Sequence, residues 1–224
     1  MVIGVAATYA VLQAIWPRII GTIARLLMLS GVKTNSRSDV FFGIHTQVPF
    51  PVFPPISLQG ALEITGACAL LLAVVSVLPL GKSPVRYWIT ANIFVLLLTS
   101  LFAFFTGTAA YDSATFMLLV ERTSILMIMT VPIFSGMVSA FLPFSVVERI
   151  GMVVLTVLFD MVFAAIRISA FALLAARFGS IAEANLYLFF GPLMDVVYFL
   201  SIFSLAAVSL GKRLSRNAEA WEWL

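Results

Sequence analysis

Between residues 150 and 178 the chain reads IGMVVLTVLFDMVFAAIRISAFALLAARF, in which Asp160, Arg167 and Arg177 are the only ionisable residues. About 20 apolar residues in a helix cross the ~30 Å hydrocarbon core of a bilayer, so this stretch predicts a membrane span with an acid and a base inside it. Asp160 and Arg167 are seven residues apart, about two helical turns, and therefore share one face. That spacing puts them roughly 10 Å apart along the axis, too far for a direct bond without a third group.

Outward from this stretch, further apolar runs extend from about Val2 to Leu29, Gly60 to Leu80, Tyr87 to Thr106, Thr123 to Phe141 and Asn185 to Leu210, with breaks at Pro84, Pro143 and Gly179. The fold class expected is an all-α polytopic transmembrane bundle of about six helices, one domain over residues 1–224. Composition agrees: 62% of residues are hydrophobic, 10% are charged and the mean hydropathy is +1.11, whereas soluble domains carry about 25% charged residues. The first run is interrupted by Trp16, Pro17 and Arg18, which suit a headgroup level and a bend. It lacks a basic stretch ahead of its apolar run and a clear cleavage site, so it reads as a retained helix rather than a signal peptide.

Residues 33–59 form a polar, proline-rich connection with Asp39, His45 and the run Val48-Pro49-Phe50-Pro51-Val52-Phe53-Pro54-Pro55. So many prolines exclude a regular helix and leave two alternatives, a surface connection or a re-entrant cover over a site. Lys82, Arg86, Arg149, Lys212, Arg213 and Arg216 flank the spans on one side, against Lys33, Arg37, Arg122 and Arg177 on the other. The positive-inside rule then puts both termini in the cytoplasm, the proline-rich connection outside and residues 211–224 in a cytoplasmic tail. The localisation expected is a cytoplasmic (inner) membrane.

Ionisable groups in hydrocarbon cost about 3 kcal/mol each on insertion scales, so each needs a partner, a wet cavity or a function. Asp195 follows Gly191-Pro192, a pair that opens the helical ladder locally, and an Asp195 to Arg167 contact between neighbouring helices is the expected pairing. Asp160, Asp195, Glu63 and Asn185 complete the candidate polar cluster. Small residues around Arg167, among them Ala164, Ala165, Ser169 and Ala170, fit close helix packing or a narrow cavity equally. One Cys and one His make a metal site of ordinary composition improbable. No phosphate-cradling glycine loop, haem-ligand pair or nucleic-acid motif is present, so no cofactor, metal or nucleic-acid partner is expected. The bilayer is the partner that composition implies.

Two segments resemble the exosortase and archaeosortase family of polytopic membrane transpeptidases. One runs from Phe53-Pro54-Pro55-Ile56 to Gly66-Ala67-Cys68; the other holds Ile166-Arg167-Ile168 and the connection to Asn185. The resemblance implies Cys68 as a nucleophile acting at the outer membrane face on a membrane-anchored protein substrate. It implies Arg167 as the group holding the thiolate or oxyanion; the family's His is absent here, and His45 fills the role of proton donor only if its connection folds back over the bundle. Ala69-Leu70 after the Cys, Ala164 before the Arg and Asn185 at the position of the family's His depart from the family pattern, which also allows a catalytically degenerate relative.

Two other classes compete. In a small solute transporter, Asp160, Asp195 and Arg167 line a path and the Gly191-Pro192 break exposes backbone to the solute. In a scaffold or accessory subunit, the apolar faces, rich in the chain's 20 Phe, bind another membrane protein.

Overall fold

The computed structural model describes residues 2–52, 57–77, 83–106, 112–140 and 144–215. The elements are α1 (Val2–Leu29), β1 (Thr34–Phe41), β2 (Ile44–Pro51), α2 (Leu58–Val77), α3 (Pro84–Thr106), α4 (Ser113–Ala140), α5 (Val146–Phe178), α6 (Ile181–Phe190) and α7 (Pro192–Ser215). Among the described residues six helical stretches are long and apolar enough to cross a membrane, α6 and α7 counting as one, so the chain is a multi-pass helical bundle. Lys82, Pro143, Arg216 and residues 53–56 lie outside the described residues.

Local chemistry fixes the helix ends. Ser57 Oγ accepts a hydrogen bond from Gly60 N at 3.0 Å at the start of α2. At α5 Ser145 and Glu148 form a capping box, Ser145 N donating to Glu148 Oε2 at 2.8 Å and Glu148 N to Ser145 Oγ at 3.3 Å. Two N-terminal amides are thereby satisfied reciprocally. Arg177 in the last turn of α5 complements the negative end of the helix dipole.

The core is built from α1, α4 and α5. Leu12, Trp16, Ile20, Ile23 and Leu27 form a buried stripe on α1 at three- and four-residue spacing. It packs with Phe116, Met117 and Ile128 of α4 and Met161, Ile168 and Phe171 of α5. Gly4 lies against Pro132 while Trp16 meets Glu121, so α1 and α4 run antiparallel. The backbone of α2 comes within 8 Å of α3 and of no other described element; Thr65 Oγ1 donates to Ser100 Oγ at 3.0 Å between them. The pair joins the bundle through α3 and α6.

Three sequence expectations need correction. The connection over residues 33–59, expected as a surface connection or a re-entrant cover, carries an antiparallel β-hairpin beside the all-α bundle. Its alternation is plain in β2, where Ile44, Thr46 and Val48 are buried while His45 and Gln47 are exposed. At its tip Phe42 (φ 49) and Gly43 (φ 73) both take positive φ, as a two-residue type I′ turn requires. The hairpin doubles back along α1, with Tyr9 Oη donating to Phe42 O at 3.0 Å. Second, α4 begins at Ser113 rather than near Thr123, because Ala114, Phe116, Met117 and Val120 are buried and extend its core-facing side. Third, the final span is two helices rather than one, broken at Gly191.

Candidate functional site

Arg167 is the centre of the buried polar structure, with 4% of its surface exposed. Its Nη1 donates to Asp195 Oδ1 at 2.6 Å and to the Gly191 carbonyl at 3.2 Å, and its Nη2 donates to Ser124 Oγ at 2.7 Å. Residues from α4, α5, the helix break and α7 thus meet on one guanidinium, whose fork geometry suits several acceptors at once. Gly191 permits the break and Pro192 enforces it. A Cβ at Gly191 would run into the Tyr187 carbonyl, and Pro192 cannot donate the hydrogen bond that would continue the helix. Asp195 falls in the first turn of α7, where the helix dipole favours an anion.

Asp160 lies on α5 below Arg167, 6% exposed and without a hydrogen bond or ion pair to another described residue. It shares with Asp195 a crevice of about 310 Å³ between α4, α5 and α7, walled by Met127, Val131, Phe134 and Phe199. Asp195 Oδ2 and Arg167 Nε have no hydrogen-bond partner among the described residues. The cluster therefore holds one cation and two carboxylates, with one pairing made and a second carboxylate in the same field. Such a site can take up a proton or a cation and can exchange partners on Arg167.

The other candidate residues are dispersed. Cys68 is buried on α2, whose backbone approaches α3 alone, so it stands apart from Arg167. His45 is on β2, exposed, because the hairpin folds back against α1, α4 and α5 with the opposite face inward. The chemistry implied by the transpeptidase resemblance needs these three side chains within hydrogen-bond reach; Arg167 instead bonds Asp195, Gly191 and Ser124, and the backbone of α2, which carries Cys68, approaches α3 alone among the described elements. Glu63 is exposed on α2 and accepts from Gln59 Nε2 at 2.9 Å. Asn185 is on α6, its Oδ1 buried without a partner among the described residues. No group of three or more metal-ligating side chains occurs among the described residues.

Sequence reasoning missed two buried acids. Glu121 is fully buried and accepts from Trp16 Nε1 at 3.1 Å, with Thr46 of the hairpin beside it. Its signal was the stripe Met117, Glu121, Ser124, Ile128, which shares one helical face. Glu183 is also fully buried, beside Ser113. Next to Glu121, Arg122 grips Asp39 through Nε at 2.8 Å and Nη2 at 2.6 Å, tying the hairpin to α4. That guanidinium holds the Asp39 carboxyl below the usual carboxylate range, against a smaller opposing effect of burial.

Comparison with family models, with curated proteins and with solved structures finds no match to this chain.

Proposed function

We propose that the protein is a small membrane transporter whose path passes the Arg167, Asp195 and Asp160 cluster. The observation that carries this is the placement of that cluster at a break in the last span. The Gly191 carbonyl and Asp195 are held by one guanidinium there, and a second acid shares their crevice. Discontinuous helices with charged residues at membrane depth are how many transporters build solute sites, because the break frees backbone groups inside the bilayer.

The hairpin supports the same function. Non-helical backbone at membrane depth is tolerated only where it is buried in protein or faces water. Strand β2 is packed against the helices, while β1 turns Asn35, Ser36, Arg37 and Ser38 outward, which suits the wall of an aqueous vestibule beside α1 and α4. The Lys and Arg asymmetry adds an orientation, with the vestibule on the outer face of a cytoplasmic membrane.

Substituted-cysteine accessibility tests this. In a Cys68→Ala background, Met127→Cys, on the wall of the crevice, should react in membrane vesicles with a small water-soluble thiol reagent. Inertness to the reagent from both sides of the membrane would remove the path, leaving the cluster as a device that docks helices.

A further inference from the structure

We propose that the crevice between α4, α5 and α7 binds an amphipathic organic cation, a compact ammonium carrying hydrocarbon or aromatic groups, with Asp160 as its counter-ion. This names the substrate class of the transport path and rests on that assignment for its use, although the binding itself is separable.

Charge is the first argument. Arg167 neutralises Asp195 through a 2.6 Å ion pair, whereas Asp160 has no hydrogen bond or ion pair of its own among the described residues. A buried carboxylate without a partner takes a proton or a cation. Asp195 Oδ2 adds a second acceptor without a partner, on a residue 6% exposed that lines the same space.

The walls are the second argument. A site for a bare metal ion surrounds it with oxygens, six to eight of them for calcium. Here the two carboxylates sit in a space of about 310 Å³ whose other walls are Met127, Val131, Phe134, Phe199 and Leu200. Two carboxylates against an apolar wall suit a ligand with one charged end and an apolar body. Phe134 and Phe199 lie with ring centroids 5.9 Å apart, and aromatic faces attract ammonium groups that have shed part of their water. The volume falls at the lower end of small-molecule sites, roughly 300–1,000 Å³, which limits the ligand to a compact one. Neighbouring Thr130 adds a hydroxyl to the lining, although its Oγ1 already donates to Met127 O at 2.7 Å.

Calorimetric titration of the full chain in zwitterionic nanodiscs tests the proposal, using sodium, tetramethylammonium, tetrapropylammonium and benzyltriethylammonium as probes. Affinity should rise at least ten-fold from tetramethylammonium to the bulkier ions, with sodium weakest. Asp160→Asn should weaken the bulky ions at least ten-fold, and Asp160→Glu should restore most of that loss. Val196→Trp, at an exposed position of the crevice, should block them without altering charge. Equal affinity for all four ions, or bulky-ion binding that survives both Asp160→Asn and Val196→Trp, overturns the proposal. Binding without transport would leave it standing and defeat the transporter assignment; proton flux dependent on Asp160 without ammonium binding would do the reverse.

Discussion

Arg167 on α5 and Asp195 on α7 form an ion pair at 2.6 Å in which both side chains are almost completely enclosed, at 3% and 4% exposure. The same guanidinium fixes the backbone of the helix break and Ser124. Removing one partner of a buried pair costs about 3–5 kcal/mol, because the other charge is left uncompensated. Arg167→Ala should therefore lower the thermal unfolding midpoint in detergent sharply. Arg167→Ala with Asp195→Asn should recover part of the loss, which a double-mutant cycle measures.

Gly191 permits the break by lacking a Cβ, since a methyl there meets the Tyr187 carbonyl. Gly191→Ala should destabilise by about 1–3 kcal/mol, the range of a core overpacking. Because the Gly191 carbonyl would shift away from Arg167, the Arg167→Ala and Gly191→Ala effects should fall short of additivity. Unfolding of the two single variants and the double variant decides this.

The Asp39–Arg122 latch carries a pH signature. The folded state holds the Asp39 carboxyl below its ordinary value, so the latch stabilises fully above that value, about 3.9, and fades as pH falls through the lowered one. At pH 7 Asp39→Asn should cost up to about 1 kcal/mol, the upper end for solvent-exposed pairs, since Arg122 is 47% exposed. Below that lowered value wild type and variant should converge. Limited proteolysis of the hairpin across pH reports both.

Trp16 Nε1 and Glu121 Oε1 form a buried hydrogen bond at 3.1 Å that joins α1 to α4. Trp16→Phe leaves the Glu121 carboxyl short of its donor, which costs about 1–3 kcal/mol beyond the lost packing. Glu121→Gln keeps an acceptor for the indole and should be milder. The order of unfolding midpoints, wild type above Glu121→Gln above Trp16→Phe, checks the pairing.

The spans were legible because an apolar run long enough to cross a bilayer has few other uses: α1 reads Val2–Leu29 in both sequence and structure. The Arg167 to Asp195 pairing was legible for a related reason, since charges this deep must find each other. The hairpin was hidden by its prolines. Pro49 and Pro51 lie within β2, the second strand of a two-stranded sheet, where a missing backbone donor is tolerated on an outer edge. Glu121 was hidden because acids near span ends look like boundary residues, and only the burial of Met117 and Ile128 on its own face puts it in the core. The separation of Cys68 from Arg167 was not legible at all, because matching depth in the bilayer says nothing about which helices are neighbours.

Flux tests the central claim most directly. The full chain, reconstituted into vesicles, is given a gradient of radiolabelled benzyltriethylammonium, and uptake by wild type is compared with that by Asp160→Asn and Cys68→Ala. A transporter built on the Arg167 cluster predicts uptake of the cation in wild type and Cys68→Ala, and at least a ten-fold loss in Asp160→Asn with the protein still folded. Equal rates in wild type and Asp160→Asn, or loss in Cys68→Ala alone, would contradict it.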